Sequence, residues 1–188
     1  MRTTLLTYLT TTLILLAGCN SEDSPRSGQG SAADSSQLPD SELGRARVYL
    51  YEGGRVTTEI LSERIIEFEP LDSSVSYGVH VTTYDSVGKA NGWVIADSAV
   101  VREKSGLLDL FGHVILVNER QTRLKTEYLR WSSETDRMET DSFVDIMRDE
   151  DWVTGWGLEA DGNLNWYHIK KVEEVHGDLS NIGTFGEP

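Results

Sequence analysis

Leu107-Leu108-Asp109-Leu110-Phe111-Gly112-His113-Val114-Ile115-Leu116-Val117 is followed by Asn118-Glu119-Arg120-Gln121, then by Leu124-Lys125-Thr126-Glu127-Tyr128-Leu129-Arg130-Trp131. Two apolar runs of strand length flank a polar turn cluster, the pattern of paired strands. Neither run carries a sustained 3.6-residue stripe. The same alternation continues outward on both sides. Upstream, Val48-Tyr49-Leu50-Tyr51 meets Gly53-Gly54 and then Val56-Thr57-Thr58, a hairpin signature. Ile65 to Phe68 stops at Pro70, and Tyr77 to Tyr84 ends in Asp85-Ser86-Val87-Gly88. Trp93 to Ile95 and Ala99 to Val101 read as further short strands. Downstream come Val144 to Met147, Trp152 to Thr154, Leu158, and Leu164 to Val172. Evenly spaced short strands predict an all-β fold, a sandwich or an open roll.

An internal repeat supports this reading. A shift of about 30 residues pairs Val94 with Leu124, Asp97 with Glu127, Leu108 with Met138, Val114 with Val144 and Leu116 with Ile146. A further copy begins near Gly155-Trp156-Gly157-Leu158, and a weaker, earlier one runs from Ser62-Glu63 to Val79. Each copy is about two strands, too little to bury a face alone, so the copies must stack.

The chain has 188 residues, enough for one domain. With 17 Lys and Arg against 31 Asp and Glu, its net charge is −14, which argues against a nucleic-acid backbone as partner. The single cysteine excludes an internal disulfide and a Cys-rich zinc site. Leu5 to Gly18 is apolar but too short to span a membrane, and it follows one positive charge, Arg2. It reads as the apolar region of a secretory signal peptide, residues 1–18, ending at Leu16-Ala17-Gly18-Cys19. That ending resembles a bacterial lipobox. Cleavage before Cys19 and acylation of its thiol then anchor the protein to a membrane, and the mature charge becomes about −15 once Arg2 is gone. Residues 19–45 are polar and read as a tether, 46–177 as the β domain, and 178–188 as a frayed tail.

Taken in order, Gly92-Trp93-Val94-Ile95-Ala96-Asp97-Ser98-Ala99, Leu108 to Val114, Leu124 to Trp131, Thr140-Asp141-Ser142-Phe143-Val144 and Thr154 to Asp161 resemble the LptC family of lipopolysaccharide-export proteins, with its OstA-like repeat. The resemblance covers about Val48 to Val175. It implies an open β-jellyroll in the periplasm that receives lipopolysaccharide from an inner-membrane transporter, LptB with LptF and LptG. It also implies onward transfer to a bridge of LptA-like rolls. No cofactor and no chemistry on the lipid are implied. The enterobacterial form has a transmembrane helix where this chain has its lipobox, so anchoring through Cys19 is expected, at the inner membrane unless Asn20 directs outward sorting.

A lipid carrier must shield acyl chains in an apolar trough, and each methylene withdrawn from water contributes about 0.8 kcal/mol. The expected groove residues are Phe111, Tyr77, Val79, Val81, Val94, Leu108, Leu110, Val114, Leu116, Leu124, Met138 and Phe143. Phe111 is singled out because an aromatic at the matching family position faces lipid. The edge expected to dock the bridge carries Leu164, Trp166, Ile169 and Val172, and the edge near Val48-Tyr51 is expected to face the transporter. Two other readings stand beside the carrier. In one, Trp131, Trp152, Trp156 and Trp166 stack on sugars, in a glycan-binding or scaffold lipoprotein. In the other, Asp141 with Asp145 or Glu134 with Asp136 acts as a glycosidase pair. Neither nucleophile elbow nor phosphate loop supports an enzyme.

Overall fold

The computed structural model describes residues 38–177. The signal peptide, Cys19, most of the expected tether and the C-terminal tail lie outside the described residues.

Nine strands form one antiparallel sheet in strict sequence order. They are β1 (Ser41–Glu52), β2 (Arg55–Phe68), β3 (Ser73–Tyr84), β4 (Ala90–Arg102), β5 (Leu107–Val117), β6 (Arg123–Ser132), β7 (Arg137–Arg148), β8 (Asp151–Asp161) and β9 (Tyr167–His176). A 3-10 turn, Glu69–Leu71, carries Pro70 between β2 and β3. The all-β expectation holds, and the fold is an open jellyroll. β1 starts at Ser41, inside the stretch read as tether, because Ser41 to Gly44 pairs with Glu67 to Arg64 of β2. Polar composition concealed a strand whose partner lies over twenty residues away.

The strands are also longer than the sequence implied. Val56-Thr58 and Ile65-Phe68 belong to one strand, as do Trp93-Ile95 and Ala99-Val101. What separated them is a corner. Ladder pairing skips or slips near the middle of every strand, and the places align across the sheet: Arg45, Glu63, Gly78, Asp97, Gly112–His113, Glu127, Asp141–Ser142, Gly157 and Lys170; separate shifts lie at Leu50–Tyr51, Thr83–Tyr84 and Thr154–Gly155. In β5 and β7 two residues oppose one on the neighbour, a β-bulge, which bends the strand.

The bend doubles the sheet back on itself. Successive turns alternate between the two ends of the strands, so the β5–β6 turn (118–122) and the β8–β9 turn (162–166) lie at opposite ends. A strand of 11 residues such as β5 spans roughly 36 Å. Yet Asn118 Nδ2 donates to the Asn163 carbonyl at 2.8 Å. The two half-sheets therefore face each other across an interior and meet at their far ends. Burial agrees. Val114, Leu124, Val144, Ile146, Val153 and Leu158 are fully covered. Among the described residues only the sheet's own second half is available to cover them.

The corner is built from a recurring local device. A small residue followed by an acid stands there on four strands: Ser62-Glu63, Ala96-Asp97, Thr126-Glu127 and Thr140-Asp141. The hydroxyls take over hydrogen bonds that the interrupted ladder cannot make. Ser62 lies 2.9 Å from the Tyr77 carbonyl and Thr126 2.9 Å from that of Phe143, and Thr140 Oγ1 accepts the Ser142 N–H. Glu63 and Asp97 sit over the backbone of the next strand, and Glu127 reaches that of the strand before. Asp97 lies over Gly112 and accepts from His113 Nδ1 at 2.8 Å, while Glu127 accepts the His113 N–H. The hydrogen bond to Asp97 raises the pKa of the exposed His113.

Gly112 has φ +71°, and a Cβ there would stand 2.3 Å from Asp97 Oδ2. Gly112→Ala is expected to cost about 1–2 kcal/mol from the left-handed backbone, with further loss as Asp97 is pushed off His113. The midpoint of urea unfolding measures this, and an unchanged midpoint would mean that the corner does not constrain the strand.

Candidate ligand-binding trough

Each strand shows alternate faces, so every residue of the expected groove can be assigned a side. On the far side of the corner from Leu110 and Met138, the printed registers align one interior residue from every strand. The row runs Val48, Ile60, Val81, Val94, Leu116, Leu124, Ile146, Val153 and Val175. All nine are Val, Leu or Ile. Burial along this row is graded. Leu124, Ile146 and Val153 are sealed, Ile60, Val81 and Val94 are half-buried, and Val48 and Val175 at the two edges are exposed. Val79, Leu110, Val114, Leu116, Leu124 and Met138 belong to one contiguous interior cluster, with Val81, Val94 and Leu108 packed against it. Nine of the twelve expected groove residues are therefore brought together on the inner face.

The other three are not. Tyr77, Phe111 and Phe143 stand on the outer face. Tyr77 pairs with Ser98, Ser98 with Phe111, and Phe111 with Tyr128, a row of outward side chains beside the corner. Phe111 is 39% exposed, and its ring lies 5.2 Å from that of Tyr128. The physical reason is alternation: Leu110 belongs to the interior cluster, so its neighbour Phe111 points outward. Reading Phe111 as groove-facing together with Leu110 put two adjacent residues on one face. Phe143 likewise meets Trp156 outside, edge to face at 5.5 Å.

The edge expectation is also corrected in detail. Strand β9 begins at Tyr167, so Leu164 and Trp166 lie in the turn before it. Leu164 is fully buried, and Ile169 faces the core opposite Leu158. The expected edge residue that is both in β9 and exposed is Val172. Sequence reasoning missed Ile60, Leu129, Val153, Leu158 and Tyr167 as interior residues. Counting alternate positions from the corner would have found them.

The four tryptophans do not form a sugar platform. Trp131 packs on the interior cluster, Trp152 stacks on His176, Trp156 donates to Glu173, and Trp166 lies under the Arg137 guanidinium. Asp141 accepts from Lys170 at 2.8 Å, which lowers its pKa, the opposite of what a general acid needs. Asp145 faces Lys125. Among the described residues no cluster of His, Cys, Asp or Glu could hold a metal ion, and no helix is long and apolar enough to cross a membrane.

The outer face carries one buried charge. Asp109, 1% exposed, accepts from Arg130 Nε at 2.7 Å, from the Tyr128 hydroxyl at 2.6 Å and from Arg102. Burial alone would raise its pKa, but the three donors outweigh that and lower it. The cluster ties β4, β5 and β6 together on one half-sheet.

A comparison with curated proteins finds no match. The family model described as lipopolysaccharide-assembly, LptC-related, matches residues 8–172, which include every strand but the end of β9. An open roll of sequentially ordered strands, bent around a continuous apolar interior, is the frame that this match covers. The chain belongs to the LptC family, whose members are envelope-associated periplasmic proteins of lipopolysaccharide transport.

Proposed function

We propose that this protein is a lipid-anchored carrier. Held by acylated Cys19, it receives lipopolysaccharide from an inner-membrane transporter of LptB with LptF and LptG and passes it to an LptA-like bridge. The observation that carries this reading is the inner row from Val48 to Val175: nine strands contribute one aliphatic residue each to a track that is covered in the middle and open at both edges. Such a track accepts acyl chains at one edge and delivers them at the other without exposing them to water. The −14 charge fits a protein that holds the chains and leaves the anionic head groups in solvent. The test is to purify the full chain from cells with an active or an ATPase-dead LptB. Lipopolysaccharide is expected to co-purify from the first cells and to be depleted from the second. Its absence from both would contradict the reading.

Transfer needs continuity with neighbouring rolls. Among the described residues β1 and β9 are the edges of the sheet, where a partner strand could add. The edge near Val48–Tyr51 would face the transporter and β9 the bridge. Proline at Ile169 is a poor probe because that side chain is part of the core. Lys171 and Val172 are better, since both are exposed and adjacent N–H groups on an edge strand point alternately inward and outward. One of Lys171→Pro and Val172→Pro is expected to abolish capture of the LptA-like partner while unfolding at the wild-type midpoint. Normal capture by both would exclude β9 as the docking edge.

A further inference from the structure

We infer that the β8–β9 turn is a latch on the lateral mouth of the trough, and that Asn118 and Leu164 are positioning residues deciding which part of the interior takes acyl chains. This rests on the carrier reading. The mouth is the gap between the two rows of turns that the bend brings together. Toward β9 it is shut. Asn118 Nδ2 donates to the Asn163 carbonyl, joining opposite ends of the folded sheet at 2.8 Å. The next residue, Leu164, is completely buried beneath that bond and belongs to the interior cluster. It has φ +52°, a conformation leucine adopts only at a cost. The turn is braced to hold it there: Asp161 Oδ1 accepts the N–H groups of Asn165 and Trp166, and the Asp161 carbonyl accepts that of Leu164.

Beside the latch a recess opens, bounded by Thr83, Gly92 and Val94 on one side and by Gly162 and Asn163 on the other. Toward β1 the interior residues lose their cover. The closed segment under β6 to β8 has no room for a lipid chain while Leu124, Ile146 and Val153 are sealed. Lipid therefore enters the segment under β1 to β4 first, and its advance toward β9 requires the latch to open. A protein whose competent state is a minor fraction binds with an apparent affinity reduced by that fraction. Releasing the latch must then tighten binding.

Asn118→Asp isolates the latch. Asn118 Oδ1 accepts the N–H groups of Arg120 and Thr122 at 2.9 Å, and an aspartate keeps both. It replaces the donor facing Asn163 with a second oxygen. Leu164→Gly is the independent variant, because it removes the plug and suits the positive φ. The full chain is titrated with purified lipopolysaccharide, and amide hydrogen exchange is followed in 118–122 and 161–166. In the wild type, lipopolysaccharide is expected to speed exchange in both turns. Both variants are expected to exchange fast without lipid and to bind about tenfold more tightly. A merely structural role would leave affinity unchanged or weaken it. Equal affinity in all three proteins, with both turns unaffected by saturating lipopolysaccharide, overturns the latch alone. No binding by any of them overturns the carrier reading and the latch with it.

Discussion

Leu124→Ala is expected to lower the free energy of unfolding by about 2–5 kcal/mol, whereas Phe111→Ala lowers it by about 1 kcal/mol. Both are large apolar residues of the central strands, and both were expected in the groove. Burial separates them. Leu124 is sealed between half-sheets, in register with Leu116 and Ile146, so truncation leaves a cavity that rigid strands cannot fill. Phe111 loses one tilted contact with Tyr128 and is already partly hydrated. Urea unfolding followed by tryptophan fluorescence separates the two. The larger loss at Phe111 would mean that the faces are assigned the wrong way round.

Asp109→Ala is expected to cost about 2 kcal/mol. Hydrogen bonds to a charged group contribute about 1.5–3 kcal/mol, and the partial exposure of Arg102 and Arg130 screens part of that. The pH dependence has a defined sign. The Asp109 pKa is lowered in the folded state, so its contribution is fully present above the ordinary value of 3.8 and is lost as pH falls through the folded value. Wild type and Asp109→Asn should therefore differ most at neutral pH and converge in acid. A difference that persists unchanged below pH 3 would mean that Asp109 acts by shape and not by charge.

The strand character of this chain was legible because alternation and turn residues are local. Gly53-Gly54 and Asn118 to Gln121 mark turns that exist, and the 30-residue repeat is one strand pair of the sheet. The corner was legible only in fragments. Asp97 and Glu127 matched in the repeat, and Ser62-Glu63 opened its earliest copy, because all three acids stand on the corner. Nothing local says that the corner is shared by nine strands, since it is a property of the sheet. Its consequences were therefore misread: two halves of β2 and of β4 became separate strands, and Tyr77, which the corner at Gly78 sets on the face opposite Val79, was placed inside, as were Phe111 and Phe143 beside their buried neighbours Leu110 and Val144. Leu164 was placed on the docking edge for a related reason. A leucine in a turn beside Asn163 has no partner in sequence, and its place is created when β5–β6 meets β8–β9 across the fold.

Site-specific photocrosslinking in cells tests the central claim most directly, with the probe at Val94 on the half-buried inner row and, separately, at Phe111 on the outer face. Lipopolysaccharide adducts at Val94 that vanish when LptB is inactivated, with none at Phe111, are the predicted result. Adducts at Phe111 and none at Val94, in a protein of wild-type stability, would contradict transport through the folded interior.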